Sequence, residues 1–177
     1  MRTAKTVFAA VLLGIAFAAS SAPTVARDAE KASMCLLEKG GAEATAVFVN
    51  LGSKGFVPTA AQMSAFNRAM ASCEKRHGWT REQTFDAGAH TGFVLRFRQV
   101  DSASRAAGMT ASRRAVLLEG ATLFHRGPAL RKEWPQFNGW LNRHTGVRFA
   151  DFRKTSEFAF FDAYLGVLSS AHRFENS

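Results

Sequence analysis

Two short segments of the chain carry a specific signal for the start of a helix. Thr59 is followed three residues later by Gln62, and Thr80 is followed at the same spacing by Gln83. In such a capping box the threonine hydroxyl accepts a hydrogen bond from the first turn, and the glutamine side chain accepts one from the threonine N–H. The sequence therefore predicts helices that begin after Thr59 and after Thr80.

Apolar spacing extends the helical prediction along most of the chain. After Thr59, the residues Met63, Phe66, Met70 and Cys73 recur at intervals of three or four, which places them on one helical face. The other predicted helices run from an N-cap at Asp28 to Gly40–Gly41, from Thr80 to Ala107, from Ser112 to Arg126, and from Asp151 to His172. A further helix, which contains Phe137 and Trp140, is expected to end at Gly146. Residues 42–51 have some strand character, but their helical surroundings favour a helix.

Glycine and proline mark the points where these helices end or change. Trp134–Pro135 is expected to interrupt any helix begun after Pro128, so that the next helix begins at Pro135. Gly88 and Gly92 lie one turn apart inside a predicted helix, where each lowers helix propensity. Such a pair allows a neighbouring helix to approach closely, or it leaves room for a ligand.

No internal repeat or linker divides residues 27–177, and the sequence predicts a single domain. These 151 residues are enough to enclose one hydrophobic core. The expected fold is all-α, a compact bundle of about five to seven helices.

The N-terminal segment, Met1–Ala26, has the pattern of an export signal. A short basic start precedes the apolar run Val7–Ala19, and small residues follow it. The run is shorter than the roughly 20 residues that span a membrane. We expect cleavage after Ala26 rather than Ala22, because Pro23 disfavours the earlier point. The expected product is periplasmic or secreted, with no stable transmembrane segment.

Two cysteines follow this segment, Cys35 and Cys73. In an oxidising compartment a single pair of cysteines more often forms a disulfide than remains reduced. Neither cysteine belongs to a Cys-x-x-Cys motif, which disfavours a redox-active thiol. The sequence predicts a Cys35–Cys73 disulfide between two N-terminal helices.

Basic residues are concentrated in the second half of the chain. After removal of the signal segment, 21 basic and 14 acidic residues give a net charge of +7. From Arg96 to Ser177 there are 13 basic and seven acidic residues. This excess either keeps the protein soluble or attracts an anionic component of the cell envelope or another protein. Nucleic acid is not an expected partner of an exported chain.

One polar set has the spacing of a candidate metal or acid–base site. Glu82, Asp86 and His90 follow one another at intervals of four, so their side chains share a helix face. Carboxylate and imidazole groups together bind divalent metals or act as a base and its orienting partner. Exposed helices also carry such residues for structural reasons, and acids in a first turn favour the helix dipole.

Aromatic residues flanked by basic residues form a second candidate site, a possible binding surface. It consists of Arg131, Lys132, Trp134, Trp140 and Arg143. Exposed indoles would offer a stacking platform or an anchor for a protein partner, with the basic groups attracting anions. The competing interpretation places these aromatic residues in the core beside the last helix.

The sequence matches no catalytic motif and predicts no cofactor. It favours a small exported helical binding or interaction protein of a bacterial-type envelope, with the basic C-terminal half contacting an anionic partner. The alternatives are a metal-dependent or acid–base enzyme that uses Glu82, Asp86 and His90, and a structural envelope protein without a small-molecule site.

Overall fold

The computed structural model describes residues 25–51, 53–125 and 130–177, without the side chains of residues 25–27 and 130–134. The predicted signal segment, Met1–Ala26, lies almost entirely outside this part of the chain. All regular secondary structure in the described ranges is helical. Within the same ranges, no helix combines the length and apolar character required to cross a membrane.

Seven helices form in the described part of the chain, as the sequence predicted for an all-α bundle. They are α1 (Val25–Asn50), α2 (Ala60–His77), α3 (Arg81–Ala106), α4 (Ala111–Phe124), α5 (Leu130–Thr145), α6 (Phe149–Phe152) and α7 (Ser156–Asn176). Gly41 divides α1 into two helical segments, because its φ of 59° and ψ of −160° are not helical. The predicted end at Gly40–Gly41 is therefore confirmed, and so is the helical state of residues 42–50.

Both capping boxes form as predicted. The N–H of Thr59 donates to Gln62 Oε1 at 2.9 Å, and the N–H of Gln62 donates to Thr59 Oγ1 at 3.2 Å. The equivalent distances between Thr80 and Gln83 are 2.9 and 3.0 Å. The first turns of α2 and α3 are fixed by local hydrogen bonds, and this sets where the two helices begin.

The first core cluster joins α1, α2, the start of α3 and the end of α7. The predicted disulfide between Cys35 and Cys73 links α1 to α2, with the two Cα atoms 6.1 Å apart. Cys73 is fully buried, and the rings of Phe48 and Phe66 pack with centroids 4.9 Å apart. The bridge thus lies inside the core cluster that it helps to hold together.

The second core cluster forms where α3 and α7 pack antiparallel and are covered by α4, α5 and α6. His90 of α3 meets Ser170 of α7, whereas Phe97, further along α3, meets Phe160 near the start of α7. Gly166 makes this approach possible, since a Cβ atom there would lie 2.5 Å from the ring of Phe93. The two longest uninterrupted helices of the described chain, α3 and α7, therefore run side by side through the bundle.

Three predicted boundaries are wrong. Asp28 lies inside the first turn of α1 and is not its N-cap, because α1 begins at Val25. Helix α5 continues through Pro135, which lacks the N–H that would bond a preceding carbonyl. The predicted last helix is divided, because Thr155 caps a new helix by accepting a hydrogen bond from the Phe158 N–H.

Candidate functional site

The structure does not bring Glu82, Asp86 and His90 together as a metal site. Glu82 is exposed, Asp86 Oδ1 lies 3.7 Å from Arg173 Nε, and His90 is buried on the side of α3 that contacts α7. In the described ranges, no group of three or more His, Cys, Asp or Glu side chains has the arrangement of a metal site. Their common helix face spans the boundary between solvent and core.

His90 instead forms a buried polar contact with Ser170. The two side chains meet at 2.9 Å between Nδ1 and Oγ, and the Ser170 hydroxyl also lies 2.7 Å from the carbonyl oxygen of Gly166. Burial lowers the pKa of His90 to about 4, against a smaller opposing effect from a hydrogen bond with the Val167 backbone. Ser170 is 1 % exposed, so this pair cannot present a nucleophile to a substrate.

One of the two indoles in the predicted aromatic and basic surface, that of Trp140, is buried in the core. Trp140 is 5 % exposed and stacks on Phe137, with ring centroids 6.2 Å apart. Its indole also covers Gly120, where a Cβ atom would overlap the ring. Arg143 is exposed, and the side chains of Arg131, Lys132 and Trp134 lie outside the described part. Trp140 is therefore a core residue rather than a contact for a partner.

A cleft that sequence analysis did not single out lies between the end of α1, the following loop and the middle of α3. Its volume is about 530 Å³, within the range of small-molecule sites. We call it the Lys54–Arg96 cleft. Its lining comprises Phe48, Val49, Asn50, Leu51, Ser53, Lys54, Ala89, Gly92, Phe93, Arg96 and Gln99.

The charges of this cleft are all positive. Lys54 and Arg96 are exposed and make no ion pair with another described residue, and no carboxylate lines the cleft. The carbonyl end of α1 adds about half an elementary negative charge at most. Two full positive charges outweigh that contribution, so the cleft favours an anion.

The apolar part of the cleft comes from the close approach of α1 to α3. A Cβ atom at Gly92 would lie 2.7 Å from the carbonyl oxygen of Phe48, so only glycine allows this contact without a shift. Phe93 lies beside Gly92, and Leu51 is 52 % exposed at the end of α1. The glycine pair noted in the sequence thus serves helix packing, and Gly92 also forms part of the cleft wall.

A second cleft, which we call the Glu175 cleft, lies where four helix ends meet. Its volume is about 540 Å³. The lining comprises Asp28, Lys31 and Ala32 of α1, His77 and Trp79 after α2, Gln83 of α3, and Phe174 and Glu175 of α7. The His77 ring stacks on Trp79 at a centroid distance of 4.8 Å, and the Trp79 ring meets Phe174 edge to face at 5.5 Å.

Glu175 is the residue of this cleft whose carboxylate is in an unfavourable environment. Both of its carboxylate oxygens are shielded from solvent, and neither has a hydrogen-bond partner among the described residues. Burial raises the pKa of Glu175, and the negative charge of Asp28 raises it further. Glu175 also lies in the last turn of α7, where the helix dipole disfavours an anion. Among the described residues, no basic side chain forms an ion pair with Glu175.

Comparison with protein-family models, curated proteins and solved structures found no match to this chain. The two clefts and their charges therefore provide the basis for assigning a function.

Proposed function

We propose that this chain is a small exported binding protein that takes an anionic amphiphile in the Lys54–Arg96 cleft. The proposal depends on one observation. Lys54 and Arg96, which make no ion pair with another described residue, border a cleft whose described lining contains apolar side chains and no carboxylate. The anionic group of the ligand would contact Lys54 and Arg96. Its apolar part would lie along Phe93 and Leu51.

The charge of the chain supports an anionic ligand. The C-terminal half, from Arg96 onward, carries most of the positive excess, and Arg96 is the first basic residue of that half. Long-range attraction by such an excess accelerates the encounter with an anion. The contact surface differs from the one predicted in the sequence, because Trp140 is buried and the cleft uses Lys54 from the other half.

Export is part of the proposal. The pattern of Met1–Ala26 is that of a signal peptide, and the Cys35–Cys73 disulfide is compatible with an oxidising destination. A periplasmic or secreted location would bring the cleft into contact with amphiphiles of the cell envelope.

Catalysis receives less support from the geometry than binding does. His90 and Ser170 are enclosed in the core, and Glu82, Asp86 and His90 point to different surroundings. The arrangement that a metal-dependent or acid–base enzyme requires does not form from these residues.

Calorimetric titration with decanoate tests the proposal. Decanoate combines one carboxylate with an apolar chain, and decyltrimethylammonium has a chain of the same length with the opposite charge. We expect decanoate to bind at one site and decyltrimethylammonium to bind about tenfold more weakly. The two exposed cations attract the carboxylate and repel the ammonium group, and these effects of two charges together amount to about 1.4 kcal/mol.

Two substitutions locate the site. Arg96→Gln should weaken decanoate binding about threefold to fivefold, the effect of losing one exposed ion pair. Arg98→Gln should leave binding unchanged, because Arg98 is exposed on the same helix but does not line the cleft. Equal binding of the two amphiphiles, or an equal effect of the two substitutions, would contradict the proposed function.

A further inference from the structure

We propose that the Glu175 cleft is a separate site for a small organic ammonium ion, with Glu175 as its counter-charge and Trp79 as an aromatic wall. This site shares no lining residue with the Lys54–Arg96 cleft and favours the opposite charge.

The unpaired carboxylate is the first support for a cationic ligand. A buried carboxylate without a partner is unfavourable, and a cation that contacts it removes the penalty. The oxygens of Glu175 make no hydrogen bond with another described residue. Rotation of the side chain toward a ligand therefore breaks no existing hydrogen bond.

Two described cations near the cleft, Lys31 and Arg173, form ion pairs with other carboxylates. Lys31 Nζ lies 2.8 Å from Asp28 Oδ1, and Arg173 Nε lies 3.7 Å from Asp86 Oδ1. The amide of Gln83 is engaged by its capping box with Thr80. None of these groups neutralises Glu175, which leaves its charge for a ligand.

The aromatic walls favour an organic cation over a metal ion. Trp79, which is partly exposed, and Phe174 line the cleft. Aromatic side chains attract ammonium groups and pack against an apolar substituent. Asp28, His77 and Glu175 line the same cleft but do not form a metal-binding group within the described ranges. A hydrated metal ion would gain little from the rings.

Titration with phenethylammonium tests this site, with 2-phenylethanol as a neutral molecule of similar size and calcium chloride as a metal probe. We expect the amine to bind at one site, at least tenfold more tightly than the alcohol. Calcium should neither bind there with comparable affinity nor displace the amine. Equal binding of amine and alcohol, or tighter binding of calcium, would overturn the proposal.

Two matched glutamate substitutions complete the experiment. Glu175→Gln should weaken amine binding at least tenfold, whereas Glu119→Gln, at an exposed position of α4, should change it less than twofold. Thermal unfolding verifies that the Glu175→Gln variant is folded, as expected for the removal of an unfavourable charge. Equal amine binding by the two variants would exclude Glu175 as the counter-charge. Arg96→Gln should leave amine binding unchanged, so the two proposals fail separately.

Discussion

The Nδ1 atom of His90 lies 2.9 Å from Oγ of Ser170, and this contact joins α3 to α7 inside the bundle. The exposed fractions are 3 % for His90 and 1 % for Ser170. Because burial disfavours the imidazolium ion, the pKa of His90 falls to about 4. This contact between α3 and α7 therefore depends on a neutral histidine.

Protein stability should decrease as the pH falls from 7 to 5. In the unfolded chain the histidine pKa is 6.5, so over this range the unfolded state binds a proton that the folded state does not. The expected loss from this one group is about 2 kcal/mol, at about 1.4 kcal/mol per pKa unit. Urea unfolding at both pH values measures it.

The His90→Gln variant provides the control for this pH dependence. Its stability should change less between the two pH values than that of the original chain, because the titrating ring is absent. An NMR titration of the His90 ring in the original chain gives a second, independent measurement. A His90 pKa near 6.5 would contradict the explanation.

Loss of the disulfide should destabilise the fold strongly. Cys35 and Cys73 are 38 residues apart in sequence, and closing a loop of that length restricts the unfolded chain by about 4 kcal/mol on the chain-entropy estimate. The double variant Cys35→Ala/Cys73→Ala should therefore unfold at a markedly lower urea concentration. An unchanged midpoint would show that the bridge contributes nothing to stability.

Substitution by alanine should change protein stability in opposite directions at two glycines in neighbouring helices. At Gly120 of α4 a methyl group would overlap the indole of Trp140, and the expected destabilisation is about 3 kcal/mol. At Gly139 of α5 the nearest atom to a Cβ would be Arg143 Nη1, at 3.4 Å. Helix propensity then predicts a gain of up to about 1 kcal/mol. Thermal unfolding of the two variants tests both directions.

The ion pair between Arg113 and Glu157 should couple α4 to α7. Arg113 Nε and Nη2 each donate to a carboxylate oxygen of Glu157 at 2.7 Å, and Nη1 donates to the carbonyl oxygen of His144 at 2.8 Å. A double-mutant cycle with Arg113→Gln and Glu157→Gln should give a coupling energy of about 1 kcal/mol.

The exposed pair Lys154–Asp151 is the comparison for that cycle. Its atoms lie 3.4 Å apart, and the lysine side chain is 76 % exposed. Solvent screening should reduce its coupling to a few tenths of a kcal/mol. A coupling as large as that of the half-buried pair would show that burial and two-point geometry do not determine the difference.

The two capping boxes predicted local structure correctly, whereas the expected N-cap at Asp28 and the expected break at Pro135 were wrong. The hydroxyl of Thr80 and the amide of Gln83 act within one turn, so the start of α3 follows from four consecutive residues. The division before α7 was missed, although Thr155 is a suitable N-cap, because the apolar pattern continues across it.

Such local patterns could not predict which side chains meet between helices that are far apart in the sequence. His90 shares a helix face with Asp86, yet its contact is Ser170, 80 residues away. The clefts have the same origin: Lys54 and Arg96 come from a loop and a helix, and Asp28 and Glu175 come from opposite ends of the described chain. Their proximity depends on the packing of the whole bundle.

An NMR titration can observe directly whether an anionic amphiphile binds in the Lys54–Arg96 cleft. Decanoate would be added to nitrogen-15-labelled protein while backbone amide signals are followed. If decanoate occupies the cleft, the largest shifts should occur at Leu51, Gly92 and Arg96, and Arg96→Gln should reduce them. Shifts concentrated outside the cleft, or no saturable shift at all, would contradict binding in the cleft.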